Sequence, residues 1–237
     1  MLYRKRFDLL RVYILSGCIL LFPCVTKGQN VQIHYDTGNA LYREHKGRPL
    51  LTTTVEMFKP DRWGNTFFFV DMDYRSEGIA AAYWEFAREL QLGKSDFAIH
   101  AEYNGGIPYV KNAFLAGATY TYQNVGFTRG FTFTPMYKYI QKLDSPHQFQ
   151  LTGTWYMYFN AKKFSFTGFA DWWREPGDCG DFVFLAEPQG WVHLNCFKGI
   201  DERFNLCIGG EIEVSYDFAE KDGLFLIPTL GVKWEFE

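Results

Sequence analysis

From about residue 50 onward, apolar and polar residues alternate with a period of two, segment after segment. In LCIGGEIEVSYDF (206–218), Leu206, Ile208, Ile212, Val214, Tyr216 and Phe218 fall on one side, with Glu211, Glu213, Ser215 and Asp217 on the other. In GLFLIPTLGVKWEFE (223–237) the apolar side is Leu224, Leu226, Leu230, Val232, Trp234 and Phe236, with Lys233 and Glu235 opposite. A helix repeats every 3.6 residues and scatters such a pattern around its axis. An extended strand keeps it on two faces.

The stretch TFFFVDMDY (66–74) asks what those faces meet. Phe68, Val70, Met72 and Tyr74 share one face, while Phe67, Phe69, Asp71 and Asp73 share the other. Unpaired carboxylates buried in an apolar core cost several kcal/mol each, so the second face must be wet. The same division recurs elsewhere. Leu51, Thr53, Val55 and Met57 oppose Glu56 and Phe58. Trp84, Phe86, Leu90 and Leu92 oppose Tyr83, Glu85, Ala87, Glu89 and Gln91, with Arg88 a misfit. Phe97, Ile99, Ala101 and Tyr103 oppose Ala98, His100, Glu102 and Asn104.

Turn-like stretches such as PDRWGN, QLGKSD, NGGIP, KLDSPH, REPGDCGD, FKGIDERF and AEKDG separate the runs. They divide the chain into about twelve strands, near 31–36, 50–59, 66–74, 82–92, 96–104, 112–124, 127–140, 147–160, 163–174, 182–195, 204–218 and 223–236. No linker or repeat interrupts them, so 29–237 reads as one domain.

Two all-β architectures share this alternation. A soluble sandwich or barrel buries the apolar face; a transmembrane barrel turns it to lipid and keeps polar residues in the lumen. The segments run to roughly nine to fifteen residues, against the ~9–11 that cross a bilayer and the ~5–6 usual in soluble sheets. Aromatic residues sit near segment ends, as interfacial girdles require: Trp63, Tyr74, Trp84, Tyr103, Tyr122, Tyr139, Trp155, Trp172, Trp173 and Trp234. The last strand carries aromatic Phe236 near its end. These features favour a single antiparallel transmembrane β-barrel of about twelve strands. A secreted or membrane-associated soluble β-barrel binding a small ligand is the alternative.

The first 28 residues read as a secretory signal peptide: Arg4, Lys5 and Arg6 precede an apolar stretch, Val12–Val25, and small residues close it. LSGC (15–18) resembles a lipidation site at Cys18, but apolar sequence continues past it. The net charge of −3 becomes more negative once these basic residues are set aside, which argues against a nucleic-acid partner. Of the cysteines, Cys179, Cys196 and Cys207 remain, an odd number; a bridge from Cys179 to either of the others is open. No Cys-x-x-Cys pair occurs, and nothing in the spacing suggests a metal or cofactor. The nucleophile motif GxSxG is also absent. A lipid-modifying outer-membrane enzyme is therefore the weaker reading, although His100 and Glu102, and Glu187 and His193, share faces.

The run TTVEMFKPDRWGNTFFFVDMDY, together with YWEFARELQL, SFTGFADWW and FLAEPQGWVHL…CIGGEIEVSYDF…PTLGVKWEFE, resembles the Tsx-like nucleoside-specific channels of Gram-negative outer membranes. The resemblance covers most of 31–237. It implies a monomeric twelve-stranded barrel with a narrow pore that passes nucleosides. The expectation is thus an outer-membrane channel for passive uptake of small polar solutes. Phe67 and Phe69 would stack a base, and Asp71 and Asp73 would accept from sugar hydroxyls. Glu56, Glu85, Glu89, His100, Glu102, Glu187, Glu211 and Glu213 would line the rest of the lumen. The alternative is that the carboxylates merely line a wet pore or pair across it with Arg88, Arg129, Lys138 or Lys233.

Overall fold

The computed structural model describes residues 28–108 and 110–236. The stretch 1–27, which holds the expected signal peptide but for Gly28 and includes Cys18, lies outside the described residues, as does Glu237. The strands are β1 (Gln29–Asp36), β2 (Leu51–Asp61), β3 (Gly64–Arg75), β4 (Gly78–Gln91), β5 (Phe97–Ile107), β6 (Ala113–Gln123), β7 (Arg129–Ile140), β8 (His147–Phe159), β9 (Phe164–Gly177), β10 (Gly180–Ala186), β11 (Gln189–His193), β12 (Leu206–Tyr216) and β13 (Leu224–Phe236). Neighbours pair antiparallel in chain order from β1 to β9, and β13 returns to pair with β1, Gln29 opposite Phe236 and Asp36 opposite Thr229.

The ring closes through twelve strand positions, because β10 and β11 share one. Phe182–Ala186 pairs with Ala170–Arg174 at one end of β9, and Gln189–Val192 pairs with Phe164–Thr167 at the other. Both also pair with β12. The alternation across 182–195 reads as one strand; the structure breaks it at Glu187–Pro188. Proline has no N–H to give a ladder. Here the Pro188 carbonyl accepts from Ile212 N–H at 3.0 Å and Glu187 N–H donates to the Phe169 carbonyl at 3.1 Å, so the ladder continues around the break.

Facing is as the alternation requires. Ile208, Ile212, Leu224, Leu226, Val232 and Trp234 are exposed on the outside, while Gln32 and His34 are 2% exposed within. A soluble barrel would reverse this, so that alternative is overturned. The outer apolar band lies between two aromatic girdles. At the end holding Gln29, Tyr120 meets Phe97 and Phe131 at 5.3 and 6.1 Å, and Phe204 meets Trp234 at 5.7 Å. At the opposite end Tyr139 meets His147 at 5.6 Å, and Trp172 stacks on Phe182 at 5.2 Å. Arg88 also faces outward, but near a strand end, where it is held by Asp61 at 2.6 Å.

Trp173 departs from the girdle expectation. Trp172 and Trp173 are consecutive, so only one can face lipid, and Trp173 is buried inside. A closed barrel satisfies every strand edge internally, which is the condition for placing sheet in hydrocarbon. With its apolar band outward, this is an outer-membrane protein of the Gram-negative type.

Candidate functional site

Residues opposed in an antiparallel register point to the same face, so the interior can be assembled strand by strand. Thr52 and Thr54 of β2 oppose Asp73 and Asp71 of β3, and Glu56 and Phe58 oppose Phe69 and Phe67. Across the next seam Asp71 meets Tyr83 and Phe69 meets Glu85. Thr54 Oγ1 donates to Asp71 at 2.5 Å, Thr52 Oγ1 to Asp73 at 2.6 Å, and the Tyr83 hydroxyl to Glu85 at 2.5 Å. The Phe67 and Phe69 rings are 5.8 Å apart, and Phe69 to Tyr83 is again 5.8 Å. A track of aromatic faces thus runs along the wall beside three hydrogen-bonded carboxylates.

Further round the ring, His100 bridges Glu89 (3.2 Å, through Nδ1) and Glu102 (2.9 Å, through Nε2), while Thr119 donates to Glu89 at 2.6 Å. Glu56 accepts from Asn30 at 2.9 Å and Glu211 from Gln189 at 2.9 Å. Glu187, at the strand break, lies close enough to Asp71, Glu211 and Glu213 for mutual repulsion. All twelve residues singled out from the sequence therefore point inward. They form not one pocket but three groups: the β2–β4 wall, the His100 cluster, and the carboxylates of β12 with Glu187.

The interior also holds carboxylates that were not singled out, Asp36, Asp171 and Glu175. Asp171 accepts from Thr152 at 2.5 Å. Its signal was present, since it sits two residues after inward Phe169 in SFTGFADWW. Of the four cations considered as partners, only Lys138 and Lys233 face inward. Arg88 and Arg129 face out, because each shares a parity with the apolar side of its strand. Lys138 donates to Gln150 at 2.8 Å and lies 4.6 Å over the Trp173 ring. Lys233 lies 4.8 Å over Trp191 and 3.3 Å from Glu235. Each lysine is thus engaged by a ring as well as by an oxygen.

The cation that the sequence reading missed is Arg48. Residues 37–50, between β1 and β2, carry a short helical turn, Gly38–Leu41, and fold over the barrel end. Arg48 Nε donates to Asp36 at 2.8 Å, and its other arm pairs with Glu213. Burial disfavours the charged guanidinium there, but Glu213 and Asp36 outweigh it and hold the proton more tightly than usual. Nearby, His45 is buried against Phe225, ring centroids 4.5 Å apart. Burial and the Arg48 charge lower its pKa from the usual 6.5, so it sits neutral at pH 7.

One group among the described residues has the donors and spacing for a metal ion: His193, Cys207 and Glu235, whose ligand atoms all lie within 4.8 Å of one another. The bridge left open from Cys179 is not formed, since Cys179 is a free thiol.

A protein family described as "Domain of unknown function (DUF5020)" matches residues 28–236. No curated protein matches the chain. Among solved structures, the KdgM porin in complex with disordered oligogalacturonate is 11% identical, with 89% of this chain and 99% of that one covered and a TM-score of 0.45. A low-pH structure of Pseudomonas putida OprB is 10% identical, with 87% and 62% covered and a TM-score of 0.39. A mutant of the Rh. blastica porin is 9% identical, with 88% and 99% covered and a TM-score of 0.37.

Proposed function

The chain belongs to the DUF5020 family, and we propose that it is a narrow outer-membrane channel for passive uptake of small polar solutes carrying a flat ring and hydroxyl groups, nucleosides among them. The observation that carries this reading is the β2–β4 wall. Phe67, Phe69 and Tyr83 offer successive ring faces, and Asp71, Asp73 and Glu85 offer acceptors beside them, each already oriented by a hydroxyl donor. A solute moving along this wall exchanges one ring and one acceptor for the next without passing through bulk water. Base–aromatic stacking is worth ~1–3 kcal/mol per base, enough to bias entry yet weak enough to allow exit.

The wall also fits a twelve-position barrel, whose lumen is intermediate between a side-chain-filled eight-strand barrel and a wide porin. Among the described residues, the one Ser–His pair hydrogen-bonded in the interior is His193 with Ser165, at 2.8 Å. The imidazole of that pair also faces the Cys207 sulfur. We read the barrel as a channel rather than an enzyme, acting as a monomer.

The test is conductance of the purified protein in planar bilayers, with nucleosides, free bases and sugars added in turn. Saturable nucleoside block, weakened by Phe67→Ala and by Asp71→Ala, supports the reading. Equal and non-saturating passage of all three solutes, unchanged by both substitutions, leaves a general narrow porin instead.

A further inference from the structure

We propose that His193, Cys207 and Glu235 form a binding site for a borderline-soft divalent transition metal of the Zn²⁺ type, set into the lumen wall at the root of the loop 194–205. The site is built by register. His193 on β11 stands directly opposite Cys207 on β12. Cys207 in turn stands opposite Lys233 on β13, two residues before Glu235. Three consecutive strand positions therefore each present one donor to the same point.

The distances suit a tetrahedral ion. Cys207 Sγ lies 3.2 Å from His193 Nδ1, and Glu235 Oε2 lies 3.7 Å from the same nitrogen. With metal–sulfur bonds of ~2.3 Å and metal–nitrogen or –oxygen bonds of ~2.0–2.2 Å, tetrahedral ligands are separated by roughly these two amounts, and all three donor atoms lie within 4.8 Å of one another. The second shell is also in place. His193 Nε2 lies 2.8 Å from Ser165 Oγ, a contact that holds the ring and directs Nδ1 toward the other two donors, as ligating histidines require. Lys233 contacts Glu235 through Oε1 at 3.3 Å, leaving Oε2 for the ion. A thiolate and a carboxylate balance a dication, so the loaded site is neutral once the Cys207 thiol has released its proton to solvent.

The donor set selects among metals. Thiolate with imidazole favours Zn²⁺ over Mg²⁺ or Ca²⁺, which take oxygen ligands. With three protein ligands a fourth position is left for water. Because His193 and Cys207 flank residues 194–205, a bound ion would tie that loop at its base.

The test uses the full chain, folded in detergent, stripped with chelator and titrated with Co²⁺. A thiolate-to-cobalt charge-transfer band is expected, reversed by Zn²⁺. It should be lost in Cys207→Ser and kept in Cys196→Ser, a thiol within the loop itself. Ser165→Ala should weaken binding ~10–100-fold, as second-shell changes do. Zinc X-ray absorption of the wild-type protein gives a check that needs no variant: one sulfur neighbour at ~2.3 Å is expected. Absence of sulfur from the zinc shell, or a charge-transfer band that survives Cys207→Ser, overturns the proposal.

Discussion

Trp191 and His34 meet edge to face, ring centroids 5.7 Å apart at 79°, although two strands separate them. What lets them meet is the row between. Trp191 opposes Gly209, Gly209 opposes Gly231, and Gly231 opposes His34. Two glycines in line leave the wall bare, and the indole lies across it. A Cβ on Gly209 would stand 3.0 Å from the Trp191 ring and 1.9 Å from the Gly190 carbonyl oxygen; one on Gly231 would stand 3.1 Å from His34 Nδ1. Gly209→Ala should therefore destabilise the barrel by ~1–3 kcal/mol, as overpacking does. Urea unfolding in lipid vesicles measures it, and an unchanged midpoint would refute the packing account.

The outer face gives a depth-dependent prediction. Ile212→Arg places a charge in the apolar band and should cost ~2–4 kcal/mol at mid-bilayer. The native cation Arg88, near a strand end and paired with Asp61, needs no such compensation. Equal stability of Ile212→Arg and wild type in vesicles would mean that Ile212 does not face hydrocarbon.

The lumen should discriminate by charge. Inward carboxylates outnumber inward cations, and Lys138 and Lys233 are already held by Trp173 and Trp191. Reversal potentials across a salt gradient should show cation preference. Asp71→Asn combined with Asp73→Asn should reduce it. Anion preference in the wild-type protein would contradict this.

Arg48 should restrict the end that it crosses. Arg48→Ala removes the cation shared by Asp36 and Glu213, leaves two buried carboxylates facing each other, and takes away one of the contacts that hold residues 37–50 over the barrel end. Higher single-channel conductance is expected, with a stability loss of ~1–3 kcal/mol. Conductance equal to wild type would show that the loop does not obstruct passage.

His45 makes the same loop sensitive to acid. Its pKa is lowered in the docked loop, by burial first and the Arg48 charge second, from 6.5. The undocked loop therefore takes up a proton more readily. Docking is fully favoured above pH 6.5 and weakens as the pH falls below it. Conductance should rise on acidification through that range. His45→Phe, which keeps a ring against Phe225, should remove the dependence. If the variant retains the same pH profile, His45 is not the responsible group.

Much of this was legible because a strand has only two faces. Once Asp71 or Glu211 is assigned to water, parity fixes every neighbour on that strand, and the registers agree. Trp173 follows the same rule and was misassigned only because a general preference of tryptophan for the interface was set above the parity of inward Asp171. What parity cannot supply is partnership across the ring. Arg48 finds Glu213 at a separation of 165 residues, and His193 finds Cys207 and Glu235 only when β11, β12 and β13 lie side by side. The break at Glu187–Pro188 was also hidden, since the alternation passes through it and only the proline marks it.

The seam between β1 and β13 has a kinetic meaning. It joins Gln29 to Phe236, nearly the whole length of the described chain apart, while most other pairings are between strands adjacent in sequence. Local hairpins can form early, but the one contact that abolishes both free edges spans the largest loop and comes last. Until it forms, the sheet offers two unpaired rims to hydrocarbon or to another chain. Insertion and closure are thus bound into one cooperative event, and partly zipped rings should be species to be escorted rather than intermediates that accumulate.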